Sequence, residues 1–213
     1  MNLPYKVLLF DMDGTIAYTD EMIIQTMFDL YDLYNPKAKK SREEIIYFSG
    51  PPIAETLKIE FPDQDQDFMI KEFLRISTPY YDKFTVSFEY EMDVLNKLKN
   101  MGYKMAVVTN KGHEKAEYVL HLLHLDNIMD FVIGNGDVDK LKPHPEGINL
   151  AMSRYGVTSE ETLYIGDNDI DYVTATNAHV DCLICDWGPR KLTVLDKCKY
   201  VAHNYLDIER ILG

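Results

Sequence analysis

The stretch FDMDGTIAYTD, residues 10–20, decides the fold, because an apolar run ends there in two acids. The preceding residues, 7–10, read VLLF, and Asp11 and Asp13 follow them. A short continuous apolar run is typical of a strand buried on both faces. In an extended chain, residues two apart point to the same side, so both carboxyl groups should face one region. Gly14 then lets the chain turn away.

Five further segments have the same strand-like character, four strongly and the last more weakly: 104–110, 130–135, 162–167, 181–188 and 198–204. Helical patterns lie between them. Apolar residues recur at spacings of three and four in 91–101, 113–124 and 145–155. From residue 86 onward helices and strands therefore alternate. This order predicts an α/β protein with a Rossmann-like parallel sheet that carries helices on both faces.

Residues 20–82 interrupt this alternation. Ile23, Met27 and Tyr31 belong to an apolar helical stripe, further helical patterns follow it, and the segment contains no convincing strand. We therefore predict an α-helical cap domain, 17–83, inserted after the first strand, with 1–16 and 84–213 forming the sheet domain. Such an insert would lie over the C-terminal edge of the sheet, where ligands bind in open α/β folds.

Composition narrows the classes of partner. The chain has 213 residues, 46% of them hydrophobic, and a formal net charge of −13. This charge disfavours nucleic acid as a partner, and no apolar stretch reaches the ~18 residues of a membrane span. We expect a soluble, cytoplasmic protein, either a monomer or a homodimer. The three cysteines do not suggest disulfides, and Cys182 and Cys185 should pack in the core on opposite faces of a strand.

Several chemistry-bearing residues follow the predicted strands. Asp11, Thr109 with Asn110, and Asp167 each end a strand, and Lys142 lies in a loop near the same edge. Clustered carboxylates repel one another, and a hard divalent cation such as Mg²⁺ relieves that repulsion. A hydroxyl and an ammonium beside the metal suit a phosphoryl group. The residues thus point to a Mg²⁺-dependent site for a small phosphorylated metabolite.

Four motifs in this order resemble the haloacid dehalogenase superfamily of phosphatases with a helical cap, over essentially the whole chain. They read DMDGT (11–15), VVTNK (107–111), KLKPHPEG (140–147) and GDNDIDYVTATNA (166–178). The cap stretch SREEIIYFSGPPIAETL (41–57) also resembles the phosphoglycolate phosphatase-like and pyrophosphatase-like branch. Within it, 49–52 is our candidate for the loop that touches the substrate.

The resemblance implies the roles of the motif residues. Asp11 would attack phosphorus and form an aspartyl-phosphate, while Asp13 would act as the general acid and then the general base. Mg²⁺ would be bound by the Asp11 carboxylate, the backbone carbonyl of Asp13 and the Asp167 carboxylate. The remaining roles are phosphate binding by Thr109, Asn110 and Lys142, with Lys142 also spreading the negative charge, and orientation of Lys142 or of a metal-bound water by Asp171.

Some residues near the motifs have simpler interpretations. Asp169 and His144 are expected to serve structural or turn roles, and the pair Trp187-Gly188 is expected to pack or turn. Tyr18 stands where the branch usually has an acid, which leaves the substrate open.

The sequence also allows alternatives to a phosphatase. A phosphomutase of the β-phosphoglucomutase type and an inorganic pyrophosphatase are alternatives on the same fold. A dehalogenase is disfavoured because those relatives lack the second acid, which is present here as Asp13. A binding protein that only senses phosphate would be expected to have lost Asp11 or Asp13.

Overall fold

A six-stranded parallel sheet forms the centre of the molecule, in a computed structural model that describes residues 4–213. The strands are β1 (Val7–Phe10), β2 (Lys104–Gly112), β3 (Val132–Asn135), β4 (Thr162–Gly166), β5 (Asp181–Cys185) and β6 (Tyr200–Ala202). Their order is β3-β2-β1-β4-β5-β6. This is the Rossmann-like α/β sheet that the sequence predicted, and all six predicted strands are confirmed.

The first strand lies at the middle of the sheet. Phe10 at its end is in register with Val107 on β2 and Ile165 on β4. Because all three strands are parallel, the residues that follow them leave the sheet at one edge. Asp11, Thr109 and Asp167 are thereby brought to the same edge, as their positions at the ends of predicted strands indicated.

Helices cover both faces of the sheet. The first four of them form the segment that follows β1, which we call the insert. In chain order they are α1 (Asp20–Tyr34), α2 (Arg42–Ile45), α3 (Ile53–Glu60), α4 (Gln66–Phe84), α5 (Glu91–Asn100), α6 (His113–Leu122), α7 (Glu146–Tyr155), α8 (Asp169–Asn177) and α9 (Tyr205–Leu212). Gly102, with φ +96°, follows the end of α5 and lets the chain turn away from the helix.

Two hydrophobic clusters lie on the two faces of the sheet. Leu8 and Phe10 belong to the cluster that continues into the helices of the insert, and Val7 and Leu9 belong to the other. Cys182 and Cys185 likewise fall in different clusters, and both are buried. The prediction that these two cysteines pack on opposite faces of a strand is confirmed.

The helices α1 to α4 lie between β1 and α5 in the chain. The backbones of Tyr18 and Val86 form an antiparallel bridge where the chain enters and leaves this segment. Each residue donates its N–H to the other's carbonyl, at 2.9 and 3.3 Å. The division into a cap of 17–83 and a sheet domain stays a prediction. Among residues 4–213, no helix combines the length and apolarity needed to cross a bilayer.

Candidate active site

Asp11 and Lys142 form the centre of the site. Asp11 is 2% exposed, and its Oδ1 lies 2.7 Å from Lys142 Nζ. Asp171 Oδ1 lies 2.6 Å from the same nitrogen, so the ammonium bridges two buried carboxylates. Burial opposes the charge on Lys142, but the two acids outweigh it and raise the lysine pKa well above its usual value. Lys142 is therefore a fixed positive charge held between Asp11 and Asp171.

Asp13 points into the same region as Asp11 but has different partners. Lys111 Nζ donates to both of its carboxylate oxygens, at 2.8 and 2.9 Å. Thr19 Oγ1 also donates to Asp13 Oδ1, at 2.6 Å. The carboxylate is thus held at the edge by a lysine from the end of β2 and a hydroxyl from the start of the insert. Gly14, with φ +87°, makes the turn that follows.

Asp167 directly follows β4 and is 3% exposed. Thr15 Oγ1 donates to its Oδ1 at 3.1 Å, and the Arg190 guanidinium forms a short ion pair with its Oδ2. The other arm of Arg190 reaches Asp20 Oδ1 at 2.8 Å. A metal-binding candidate on the sheet is therefore connected through one arginine to the first helix of the insert.

Thr109 and Asn110 occupy the end of β2. Thr109 is 5% exposed and its Oγ1 accepts the N–H of Lys111, at 3.2 Å. The Asn110 side chain accepts the N–H of Lys142 at 2.8 Å and donates to the Gly50 carbonyl at 3.0 Å. Asn110 therefore fixes the loop that carries Lys142 and contacts a loop of the insert. Since α6 has Gly112 as its N-cap, with no side-chain cap bond, Thr109 does not cap that helix.

The site holds more acids than cations. The acids are Asp11, Asp13, Asp20, Asp167 and Asp171, and the cations are Lys111, Lys142 and Arg190. Negative charges thus exceed positive ones by two within this set. Burial raises the pKa of Asp11 and of Asp167 to about 6 each, and it raises the pKa of Asp171 as well.

A divalent cation fits this set of residues. One oxygen each from Asp11, Asp167 and Asp171 can be chosen so that all lie within 4.8 Å of one another, and all three residues are buried. Oxygen donors and a deficit of two positive charges match the preferences of Mg²⁺. The predicted ligands Asp11 and Asp167 belong to this cluster. The carboxylate of Asp13 does not, and binding through its backbone carbonyl stays a prediction.

A cleft of about 340 Å³ opens beside these residues. Asp11, Asp13, Thr109 and Asn110 line it from the sheet side. Phe48, Gly50, Pro51 and Ile53 line it from the insert, so the predicted loop does face the cleft. Asn168 Nδ2 donates to the Ser49 carbonyl at 3.2 Å, which adds a second contact between that loop and the sheet. The insert therefore covers the edge of the sheet on which Asp11 lies.

Three residues at the site were missed by the sequence reasoning. Lys111 belongs to the second motif, but its ion pair with Asp13 could not be predicted because the two residues are 98 positions apart in the sequence. Arg190 follows β5 in an irregular segment without periodicity. Tyr164 looked like an ordinary strand residue, but its buried hydroxyl donates to the Val108 carbonyl at 2.8 Å.

The neighbouring residues take the simpler roles expected for them. Asp169 accepts the Thr193 N–H at 2.9 Å, and His144 accepts the Glu146 N–H at 3.3 Å in an exposed turn. Trp187 stacks on Tyr205 and donates its Nε1–H to the Gly14 carbonyl, at 2.8 Å. Tyr18 is 37% exposed, and its backbone forms the bridge to Val86 described above.

Comparison with known proteins places this fold and site in a class. A model of the family described as haloacid dehalogenase-like hydrolase matches residues 8–185. The chain is 32% identical over 185 residues to pyrophosphatase PpaX of Halalkalibacterium halodurans, covering 87% of this chain and 85% of the relative. It is also 32% identical over 211 residues to pyrophosphatase PpaX of Bacillus mycoides, covering 98% and 97%.

Solved structures agree on the architecture. A predicted phosphoglycolate phosphatase from Haemophilus somnus superposes with a TM-score of 0.86 at 20% identity, over 99% of both chains. A haloacid dehalogenase-like hydrolase from Bacteroides fragilis gives 0.85 at 25% identity, over 93% of this chain and 97% of its own. The fold and the site thus define a hydrolase with a Rossmann-like sheet and acids gathered at its C-terminal edge. The chain belongs to the haloacid dehalogenase-like hydrolase family.

Proposed function

We propose that this protein is a Mg²⁺-dependent phosphatase that hydrolyses a small phosphorylated compound through an aspartyl-phosphate on Asp11. One observation carries the proposal. Of the five acids at the site, only Asp11 and Asp13 line the cleft, whereas Asp20, Asp167 and Asp171 are absent from its lining and are paired with Arg190 or Lys142. A substrate in the cleft therefore meets one carboxylate able to attack and a second able to handle a proton.

In the first step Asp11 attacks phosphorus and the bond to the leaving oxygen breaks. Lys142, 2.7 Å from Asp11, opposes the negative charge that builds up on the phosphoryl oxygens. Thr109 lines the cleft at the end of β2, where its hydroxyl can donate to a phosphoryl oxygen. When bound by Asp11 and Asp167, Mg²⁺ would neutralise the excess of acids and help the anionic substrate approach.

Asp13 is the candidate general acid and base. Its carboxylate lines the cleft two residues after Asp11 and is free of Lys142. In the first step it would protonate the leaving oxygen. In the second step it would take a proton from the water that attacks the aspartyl-phosphate. The products are the alcohol or acid that carried the phosphate, and inorganic phosphate.

Inorganic pyrophosphate is a second candidate substrate, because the relatives with 32% identity are named pyrophosphatases. The same residues would serve, with the second phosphate as the leaving group. Initial rates on pyrophosphate, phosphoglycolate and a panel of phosphate monoesters, all with Mg²⁺, would rank these substrates.

The nucleophile can be tested directly. We expect Asp11→Asn to remove turnover while the thermal unfolding curve keeps its cooperative form. A crystal structure of the wild type with Mg²⁺ and beryllium fluoride should show the fluoride complex on the Asp11 carboxylate. Finding it bonded to another side chain would show that the nucleophile is misassigned.

A further inference from the structure

The wall of the cleft that the insert forms is largely apolar. The insert contributes these side chains to it: Met22, Ile23, Phe48, Ile53, Ile70 and Phe73. They come from α1, α3 and α4 and from the segment between α2 and α3. The cleft therefore has a charged floor on the sheet and an apolar roof on the insert.

Of the two lysines that line the cleft, Lys111 is paired with an acid and Lys115 with a neutral hydroxyl. Lys111 is bound to Asp13, and its ammonium lies 4.9 Å from the centre of the Tyr81 ring. Lys115 donates to Thr78 Oγ1 at 3.3 Å and lies 5.4 Å from the same ring. A second phosphate seated against the six apolar side chains, away from Lys115, would lose its hydration with little return, because burying an unpaired charge is costly.

We propose that the natural substrate is a phosphate monoester whose alcohol carries an apolar alkyl or aryl group seated against this wall. The inference rests on the proposed function and names its class of substrate. Asp11 forms a bond to phosphorus as the bond from phosphorus to the alcohol oxygen breaks, and that oxygen leaves with a proton as the free alcohol. Water then cleaves the aspartyl-phosphate and yields inorganic phosphate.

The size of the cleft limits the apolar group. Small-molecule sites range from about 300 to 1,000 Å³, and the value of about 340 Å³ lies at the lower end of that range. The cleft therefore suits one phosphate with a short alkyl chain or a single ring beyond it, rather than a nucleotide.

A homologous series provides the test. We expect kcat/KM for n-alkyl monophosphates from ethyl to hexyl to rise roughly fourfold per methylene group, because each buried methylene is worth about 0.8 kcal/mol. The leaving-group chemistry changes little along this series, so the trend reports contact with the wall. Pyrophosphate and phosphoglycolate should be poorer substrates than hexyl phosphate.

Two variants on one helix locate the contact. Ile53 lines the cleft at the start of α3, whereas Ile59 on the same helix is 74% exposed and lies outside the cleft lining. Ile53→Gln should lower kcat/KM for hexyl phosphate about tenfold more than for ethyl phosphate. Ile59→Gln is the matched control and should leave the dependence on chain length unchanged.

Binding of n-alkylphosphonates, measured by calorimetry, separates this inference from the proposed function. Affinity that rises with chain length, even in a preparation that hydrolyses nothing, would support the apolar site and overturn the phosphatase proposal. Hydrolysis of small monoesters with rates and affinities independent of chain length would overturn the inference and leave the phosphatase proposal standing. A strong preference for pyrophosphate over every alkyl phosphate would also overturn the inference.

Discussion

Lys111 Nζ lies 2.8 and 2.9 Å from the two carboxylate oxygens of Asp13, which joins the second motif of the chain to the first. The lysine side chain is 7% exposed and the Asp13 side chain 14%, so water screens this pair little. The ion pair therefore determines where the carboxylate of the candidate general acid points.

Removing this lysine should impair catalysis. We expect Lys111→Met to lower kcat/KM by about tenfold to a hundredfold, because hydrogen bonds to charged groups are worth about 1.5–3 kcal/mol. Steady-state kinetics on an aryl phosphate measure the change. Lys115→Met is the control, since Lys115 lines the same cleft but bonds to Thr78. Equal losses in the two variants would mean that the cleft needs positive charge there and not this ion pair.

The acid role of Asp13 predicts a dependence on the leaving group. Asp13→Asn should lower the rate on alkyl phosphates by about 10² or more, and the rate on p-nitrophenyl phosphate much less, because a good leaving group needs little protonation. The ratio of the two losses is the measurement. If the variant slows both substrates equally, Asp13 does not act as the acid.

Metal binding should be detectable without activity. Mg²⁺ at 100 times its Kd should stabilise the fold by about 2.7 kcal/mol, and thermal unfolding would show it. Asp167→Asn should lose most of this shift. Asp169→Asn should retain it, because Asp169 bonds to Thr193 on the neighbouring loop. We also expect a chelator to abolish phosphatase activity and Mg²⁺ to restore it; full activity in excess chelator would contradict the metal dependence.

The buried Glu91, which is not one of the candidate catalytic acids, should make the stability of the fold depend on pH. Burial raises its pKa to about 8, while hydrogen bonds from the Phe88 N–H and the Tyr205 hydroxyl act in the opposite direction. Because the folded pKa lies above the unfolded one, the stabilising contribution is complete below about pH 4.5. It is lost as pH rises towards 8, at up to about 1.4 kcal/mol per pH unit.

Denaturation across this range tests the assignment. Glu91→Gln should flatten the fall in the free energy of unfolding between pH 5 and pH 8, since the amide does not ionise. Glu89→Gln, at an exposed position two residues earlier, should leave the fall unchanged. A wild-type stability that does not decrease over this range would count against a protonated Glu91.

The loop 48–53 should govern substrate preference. Gly50 has φ +111°, and a Cβ added there would come within 2.6 Å of Asn168 Nδ2. Gly50→Ala should therefore displace the loop and change the ranking of substrates more than it changes the rate of phosphoenzyme hydrolysis. Gly102→Ala is a matched control, because its φ is +96° but the added Cβ meets nothing within 4 Å. Substrate rankings that stay the same in both variants would argue against a role for the loop.

Much of the fold could be predicted because its signals are local. Apolar runs such as 7–10 and 162–166 are dense enough to mark strands, and parallel pairing then brings their ends together. Asp11, Thr109 and Asp167 follow from that rule alone. The pairing of Lys142 with Asp171 was also expected, although there it rested on family resemblance.

The contacts between insert and sheet could not be predicted in the same way. Arg190 joins Asp20 and Asp167 across sequence separations of 170 and 23 residues, and it lies in a segment without periodicity. The apolar wall likewise gathers side chains from three helices, and the orientation of each helix depends on packing. Such contacts form between residues that are far apart in the sequence, so no local sequence pattern indicates them.

The bridge between Tyr18 and Val86 has a consequence for how such enzymes diversify. The two chain segments that connect the insert to the sheet are joined to each other by a pair of backbone hydrogen bonds. Any two residues other than proline can form such a pair. Splicing a foreign helical segment at these two positions would keep both attachment points in register with the sheet. Recombination at this bridge therefore offers a route to new substrate ranges, provided that the new segment again supplies the Thr19 hydroxyl to Asp13 and the Asp20 carboxylate to Arg190.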